Sequence, residues 1–301
     1  MKRIVSISIG SSSRDHRVET EILGEQFQIE RIGTDGDIKK AIQLIKELDG
    51  KVDAFGMGGI DIYLYGKNSK RYILRSALPI LRAAVKTPIV DGSGLKNTLE
   101  RRVVQFVNDE CGISLMDKKI LLVCGLDRFG MAETLESLGG KVTYGDLIFA
   151  LGIKIPINSL AALHKVAAVL MPIASRLPFK VLYPTGKNQN KNVPKYHRYY
   201  YNADIIAGDF IYIKKHIPEE MEGKIILTNT VTLNDIEFLK KRGIKMLITS
   251  TPELNGRSFG TNVMEAVFLS LFNKNIDEAT PNIYEDLITR SGFKHRTEIL
   301  N

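Results

Sequence analysis

The sequence predicts an α/β fold of two domains, the second a doubly wound, Rossmann-like parallel sheet. Its 301 residues are about twice an ordinary domain length. Short apolar, β-branched runs alternate along nearly the whole chain with segments whose apolar residues recur every three and four positions. The alternation halts near Met116-Asp117-Lys118 and then restarts. A strand–helix alternation of this kind forces parallel sheets joined by right-handed crossovers.

Ile4 to Ile9 reads as a first strand, closed by the loop signal Gly10-Ser11-Ser12-Ser13. Phe27 to Ile32 is a second, ending at Gly33; Ile38, Ala41, Ile42, Ile45 and Leu48 then mark one face of a helix. Val52 to Met57 is a third strand. Ile62 to Leu64 and Tyr72 to Leu74 pair as a hairpin around Gly66-Lys67-Asn68, and Leu78 to Val85 is helical. Pro88-Ile89-Val90 leads through Asp91-Gly92-Ser93-Gly94 into a longer helix carrying Leu95, Leu99, Val103 and Val107. Beyond the halt, Lys119–Cys124, Lys141–Tyr144, Phe179–Tyr183, Asp204–Ala207, Lys224–Leu227 and Lys245–Ile248 supply strands, and six in this span is the count of a dinucleotide-binding domain. Helices are expected over Met131–Leu138, Leu160–Ile173, Asp235–Lys241, Gly260–Phe272 and Ile283–Ile288, with Lys187–Lys195 as a mobile loop. The organisation is an N-terminal α/β substrate domain over 1–117, a dinucleotide-binding domain over 118–273, and a helical tail over 274–301 packing back on the first domain.

Composition narrows the classes. At 44% hydrophobic and 25% charged the chain matches soluble globular proteins, which excludes wholesale disorder. No apolar run approaches the ~18 residues of a membrane-spanning helix, so no membrane partner is expected. The opening MKRIVSISIGSSSRD is too short and too β-branched in its apolar part for a signal peptide. Cys111 and Cys124 form neither a disulfide framework nor a zinc spacing. A cytoplasmic protein with reduced thiols is expected. The net charge of +8 raises nucleic acid as a partner. Its basic pairs, Lys39-Lys40 and Arg101-Arg102 among them, are scattered over polar helix faces, which reads as solvated surface. Nucleic acid is therefore not expected. A positive field also suits a small phosphate-bearing ligand. The five histidines do not cluster, so no metal is expected. Neither G-x-S-x-G nor G-x-x-x-x-G-K-[ST] occurs, against a nucleophile-elbow hydrolase or P-loop NTPase.

Ligands in open α/β sheets bind beyond the carboxyl ends of the strands. After Lys119–Cys124 comes Gly125-Leu126-Asp127-Arg128-Phe129-Gly130, with the spacing of a dinucleotide fingerprint but Asp127 where the middle glycine stands. Asp146 follows Gly125 by 21 residues (146 − 125), the distance of the acid that binds the ribose hydroxyls of NAD and repels the 2′-phosphate of NADP. Thr228, Asn229 and Thr249 at later strand ends suit a nicotinamide ribose and carboxamide; equally, threonine fits strands and caps helices. Arg257, Ser258 and Asn262 precede a helix and form an anion-binding setting. In the first half, Ser6 and Ser8 suit a carboxylate. Asp91, Ser93, Lys96 and Asn97 open a helix, where a lysine is not explained by the dipole. Lys96 with Asp91 is an acid/base pair suited to hydroxyl–carbonyl interconversion. Tyr196, Tyr199, Tyr200 and Tyr201 with His197 and Arg198 form a binding platform or an amphipathic packing face.

The stretches SIGSSSRDHRVE, ERIGTDGDIKKA, DAFGMGGIDIYL, VDGSGLKNTLERR, YPTGKNQ, AGDFIYI and PELNGRSFGTNVMEA resemble a bacterial family labelled quinate 5-dehydrogenase. The two-domain outline is similar to quinate/shikimate dehydrogenases. That resemblance implies an NAD(P)-dependent oxidoreductase acting on a small hydroxylated carboxylic acid. Ser6 and Ser8 would hold the carboxylate, and Lys96 with Asp91 as its partner would handle the hydroxyl proton. A transferase or lyase using a nucleotide or phosphorylated ligand, or a non-catalytic dinucleotide-binding regulator, are the alternatives. A homodimer is compatible with each.

Overall fold

The computed structural model describes residues 1–65, 71–177, 192–254, 257–258, 260–272 and 280–301. In chain order the elements of the first part are β1 (Lys2–Ser8), β2 (His16–Ile22), β3 (Glu25–Gly33), α1 (Ile38–Leu48), β4 (Ala54–Gly58), β5 (Tyr63–Tyr65), β6 (Arg71–Ile73), α2 (Leu78–Leu81), β7 (Ile89–Val90) and α3 (Ser93–Asp109). There follow β8 (Lys119–Leu122), α4 (Phe129–Ser137), β9 (Lys141–Tyr144), α5 (Asp146–Phe149), α6 (Leu160–Ala174), α7 (His197–Asn202), β10 (Ile205–Ala207), α8 (Phe210–His216), β11 (Ile225–Thr228), α9 (Leu233–Lys240) and β12 (Met246–Thr249). The chain ends in β13 (Glu253–Leu254), β14 (Arg257–Ser258), α10 (Thr261–Phe272), α11 (Pro281–Arg290) and β15 (Arg296–Ile299).

These elements form two compact α/β units. One comprises Met1–Lys96, Val169–Gln189 and Gly260–Phe293; the other comprises Asn97–Ala168, Asn190–Phe259 and Lys294–Asn301. The units are thus interleaved in sequence, where strand–helix alternation alone placed boundaries at 117 and 273. Alternation records local structure, whereas membership in a unit is decided by long-range packing. Each of α3 and α6 begins in one unit and ends in the other.

The first unit holds a five-stranded sheet in the order β2-β3-β1-β4-β7. β1 pairs in parallel with β3 and with β4. Its Ile4, Val5 and Ile7 are all buried, as expected of a strand covered on both faces. β2 is antiparallel to β3 and alternates half-buried with exposed residues. This edge strand escapes an apolar-run reading because Arg17, Glu19 and Glu21 interrupt it at every second position. α1 starts where Asp37 accepts a hydrogen bond from the Lys40 amide (3.0 Å), and it buries Ala41 and Ile45. β5 and β6 make the expected hairpin, whose turn at Gly66–Asn68 lies outside the described residues. α2 spans only Leu78–Leu81, shorter than its apolar pattern. α10 packs on β1, β4 and β7 and buries every residue from Val263 to Leu269.

The second unit holds a six-stranded sheet, β15-β12-β11-β10-β8-β9, parallel except for β15. Alternate residues feed cores on opposite faces. Leu121, Ile206 and Ile226 pack with Ile213 and Leu239, while Ile120, Ile205 and Leu227 pack with Val103, Met131 and Leu163. Helices on both faces make the sheet doubly wound, as the sequence predicts. β15 fills the place of a sixth strand; the expected strand at Phe179–Tyr183 lies outside the described residues, as does most of the expected loop at Lys187–Lys195.

One glycine tests the packing of the first unit. A Cβ at Gly56 would stand 2.9 Å from both the Asn262 side-chain nitrogen and its carbonyl oxygen. Gly56→Ala should cost about 1–3 kcal/mol by overpacking. Urea unfolding gives the value, and a loss under about 0.5 kcal/mol would show that α10 is free to shift.

Candidate functional site

In the second unit the connections from β8 and β10 leave on opposite sides of the sheet, which is the geometry of a ligand crevice. Cofactor residues expected there do converge, but their hydrogen-bonding capacity is spent on one another. Asp146 is buried and accepts from the amides of Gly125 (3.0 Å) and Leu126 (2.8 Å), the donors a pyrophosphate would need. Burial raises its pKa to about 6 against the lowering pull of those amides. Arg128 is buried, with Nη1 on Glu100 Oε1 at 2.5 Å and Nη2 on Asp209 Oδ2 at 3.1 Å, so it bridges the crevice from the β8 side to the β10 side. Half-buried Asp127 adds to the negative surroundings of that guanidinium. A Cβ at Gly130 would lie 2.7 Å from the Asn97 carbonyl oxygen, so this glycine serves the packing of α3 on α4.

The later strand ends are laced in the same way. Asn229 donates to Asp209 Oδ2 (2.8 Å), and the Thr228 hydroxyl donates to the Gly208 carbonyl (2.7 Å). The Thr249 hydroxyl donates to the Thr251 carbonyl (2.6 Å), and Thr251 in turn to the Asn229 carbonyl (2.9 Å). Sequence reasoning did not single out Glu100, and it noted Asp209 only as part of the polar strand end Ala207–Phe210. Their signal is faint: an acid within a helix and another after a strand become partners only through the sheet order.

The first unit is built differently. Parallel register sets Ser6 beside Gly56 and Ser8 beside Gly58, with Arg31 opposite Ser6 on β3. Side chains two apart share a face, so a row of small residues lets Asn262 approach closely the face that carries one guanidinium. Arg31 donates to Ser8 Oγ (2.9 Å) and the Ser11 carbonyl (3.0 Å) and pairs with Asp15 (2.6 Å). Asn262, in the first turn of α10, donates to Ser6 Oγ (2.8 Å). Ser6, Ser8 and Asn262, expected to bind substrate, are therefore brought together. Arg31 escaped notice, although a charge on the strand face that otherwise carries Phe27, Ile29 and Gly33 is a readable signal. Ser12, Ser13, Asp35 and Gly59 are exposed around this floor.

Asp91 and Ser93 open α3 as a cap. The Asp91 carboxylate accepts from the amides of Ile62 (2.5 Å), Tyr63 (2.9 Å) and Ser93 (2.9 Å) and from the Ser93 hydroxyl (2.5 Å). Lys96 stands in the first turn of α3, half-buried, its amide on the Gly92 carbonyl (2.9 Å). Asn97 belongs to the second unit. Arg257 and Ser258 form β14, antiparallel to β13, and their side chains lie outside the described residues. Glu265 is buried against the same α3 start. Its Oε1 accepts from Tyr284 Oη at 2.8 Å, the amides of Gly92 and Gly94 also donate to it, and its Oε2 has no hydrogen-bond partner among the described residues. Burial and the neighbouring Asp91 push its pKa up to about 8.

Fold and polar strand ends define a two-unit α/β protein with parallel sheets. The chain belongs to the family described as Domain of unknown function (DUF8754), whose model matches residues 94–300. A second model, Domain of unknown function (DUF8753), matches residues 3–91. No curated protein matches the chain. Among solved structures it is similar to an ABC-transporter solute-binding protein from Burkholderia multivorans, at 12% identity over 100% of both chains with a TM-score of 0.39. Another from Agrobacterium vitis, bound with α-D-tagatopyranose, is similar at 11% over 83% of each chain, TM-score 0.37. The arabinose-transporter binding protein of Shewanella sp. ANA-3 is similar at 9% over 97% of each chain, TM-score 0.36.

The geometry of the second unit corrects the expectation of an NAD(P)-dependent oxidoreductase of the quinate/shikimate kind. Asp146 occupies the amides a dinucleotide would use, and the Arg128–Asp209 pair closes the crevice that would receive it. The NAD expectation falls with it, as do the nucleotide-using and dinucleotide-sensing alternatives for that crevice and the proton-handling step assigned to Lys96 and Asp91.

Two measurements check this account. Arg128→Met leaves Glu100 buried and unpaired, and should cost about 3–5 kcal/mol in urea unfolding; a loss below about 1 kcal/mol would mean the pair does not hold the crevice shut. Glu265 is protonated in the folded chain up to pH about 8, against an ordinary value of 4.5. The folded state then binds more protons than the unfolded state between those values, so this group's contribution to stability is full below pH 4.5 and is lost as pH rises through about 8. Glu265→Gln removes that slope. The difference in unfolding free energy between variant and parent should grow in the variant's favour from pH 4.5 to 8, and a pH-independent difference would refute the buried neutral acid.

Proposed function

We propose that the first unit binds a small polar molecule, polyhydroxylated or carboxylate-bearing, at the carboxyl ends of β1, β3 and β4. The observation that carries this reading is the placement of Arg31 beside Ser8 on a sheet face otherwise lined by Ser6, Gly56 and Gly58. An arginine fork matches a carboxylate or a vicinal diol, and serine hydroxyls and an asparagine amide both donate and accept. The place supports it as well. β3 and β4 flank β1, so the connections from β1 and β4 diverge there, at the topological switch where open α/β sheets receive ligands. Exposed Ser12 and Ser13 stand on the rim as further hydroxyl contacts. The chain on this reading is a binding protein for a small molecule.

A thermal-shift screen of polyols, pentoses, hexoses and hydroxy acids tests the proposal. At least one of these classes should raise the unfolding midpoint. Arg31→Met should weaken that compound about 10- to 100-fold, the worth of a hydrogen bond to a charged group. Ser12→Ala, at an exposed position that leaves the fold intact, should weaken it by less than about tenfold. Unchanged affinity in Arg31→Met, or no shift with any of the four classes, would overturn it.

A further inference from the structure

The second unit carries a concavity away from its strand-end crevice. It has a volume of about 650 Å³ and is lined by Lys154, Lys195, Arg198, Tyr196, His197 and Tyr199, together with Pro194. That volume lies in the range of small-molecule pockets. Lys154, Lys195, His197 and Arg198 are exposed, and no acidic residue is among the lining. Positive charge is thus gathered along this lining without a carboxylate, in contrast to Lys214 and Lys141, which pair with Asp235 and Asp117.

The wall is held in place before any ligand arrives. Asn192 donates to the carbonyls of Lys214 (2.6 Å) and Ile217 (3.1 Å) and accepts from Arg242 (3.2 Å). Val193 donates its amide to the Lys215 carbonyl at 2.7 Å, and the His216 ring meets the Val193 carbonyl at 3.1 Å. Tyr196 packs edge-on to Phe149 and to His216, with centroids 5.9 and 6.4 Å apart, and its hydroxyl reaches the Gly152 carbonyl (3.4 Å). Tyr196 has φ 60°, the left-handed region that a bulky side chain enters only when its surroundings over-determine it. Such strain concentrates at binding sites. Arg198 lies over the Tyr199 ring, 4.7 Å from its centroid, and donates to its hydroxyl (2.6 Å), so the cation is held against one face of the ring. Leu151, Ile153 and Ile155, on the segment that carries Lys154, are exposed at 54%, 44% and 60%. Apolar side chains beside rings and cations ask for a ligand that is itself both flat and charged.

We infer that this concavity binds a planar aromatic anion, with the ring stacked on the tyrosine and histidine rings and the anionic group held by Lys154, Lys195 and Arg198. The inference is independent of the first-unit site. Two sources share this chemistry, an aromatic carboxylate and a nucleoside monophosphate. Calorimetric titration of the whole chain with 4-hydroxybenzoate and with AMP separates them, with adenosine and inorganic phosphate as the two halves. At least one aromatic anion should bind about tenfold or more tighter than inorganic phosphate, and AMP, if it is the one, by a similar margin over adenosine, since ring and charge contribute together. Arg198→Ala and Tyr199→Ala should each weaken it about tenfold with the first-unit ligand response unchanged, and Arg198→Ala, at an exposed position, should also leave the unfolding midpoint unchanged. Binding of neither aromatic anion would overturn the inference. So would phosphate binding as tightly as AMP, which would mark a generic cationic surface, or insensitivity to both substitutions. A dodecamer of thymidylate bound far more tightly than AMP would also overturn it, in favour of a nucleic-acid surface.

Discussion

A guanidinium taken out of water must find its counter-charges inside, and Arg128 finds them on two elements far apart in sequence. Glu100 reaches it from α3 and Asp209 from the end of β10. Burial opposes its charge, and Glu100 is the foremost of the groups that hold it charged regardless. That one requirement fixes α3 and α4 against the strand ends, and Asn229 and Thr228 then pin β11 to the same place through Asp209 and the Gly208 carbonyl. The loop after β8 keeps the outline of a phosphate-binding turn while its amides are turned over to Asp146. A middle glycine would let a phosphate approach; the acid at Asp127 instead adds to the negative shell that Arg128 requires.

The same class of strand end has two outcomes in one chain. In the second unit, charge neutralises charge across the crevice. In the first, Arg31 has an acid partner on one side and a floor of serines and glycines on the other. Small side chains at four successive facing positions have a structural use, because α10 could not otherwise bring Asn262 against the sheet. They also leave hydroxyls where a larger apolar residue would have left none.

Much of this was legible in the sequence. The two α/β units, the doubly wound second sheet and α1 follow from periodicity. The gathering of Ser6 and Ser8 follows from the period of a strand. What escaped has physical causes. β2 and β15 carry charged residues at every second position, which breaks up any apolar run, and both are edge strands paired to one neighbour. The Gly125–Gly130 spacing was read correctly as strand-turn-helix but wrongly as a cofactor loop. Spacing fixes where amides point, while the occupant of those amides, Asp146, lies 20 residues on and is decided by burial. Asp91 looked like a base beside Lys96 and proved to be a cap with four donors around its carboxylate.

The interleaving of the two units bears on how the chain is made. α10 covers β1 and β4, and every residue from Val263 to Leu269 is buried there. On a ribosome, the sheet of the first unit is complete in sequence once β7 has emerged, yet its covering helix is still more than half a chain away. Domains that close early fold as they are synthesised; this one must hold a sheet face open until residues past 260 arrive, and by then the strands of the second unit up to β12 have emerged. The early sheet is therefore a part of the nascent chain with need of a chaperone, and its closure waits on a contact across more than half the chain.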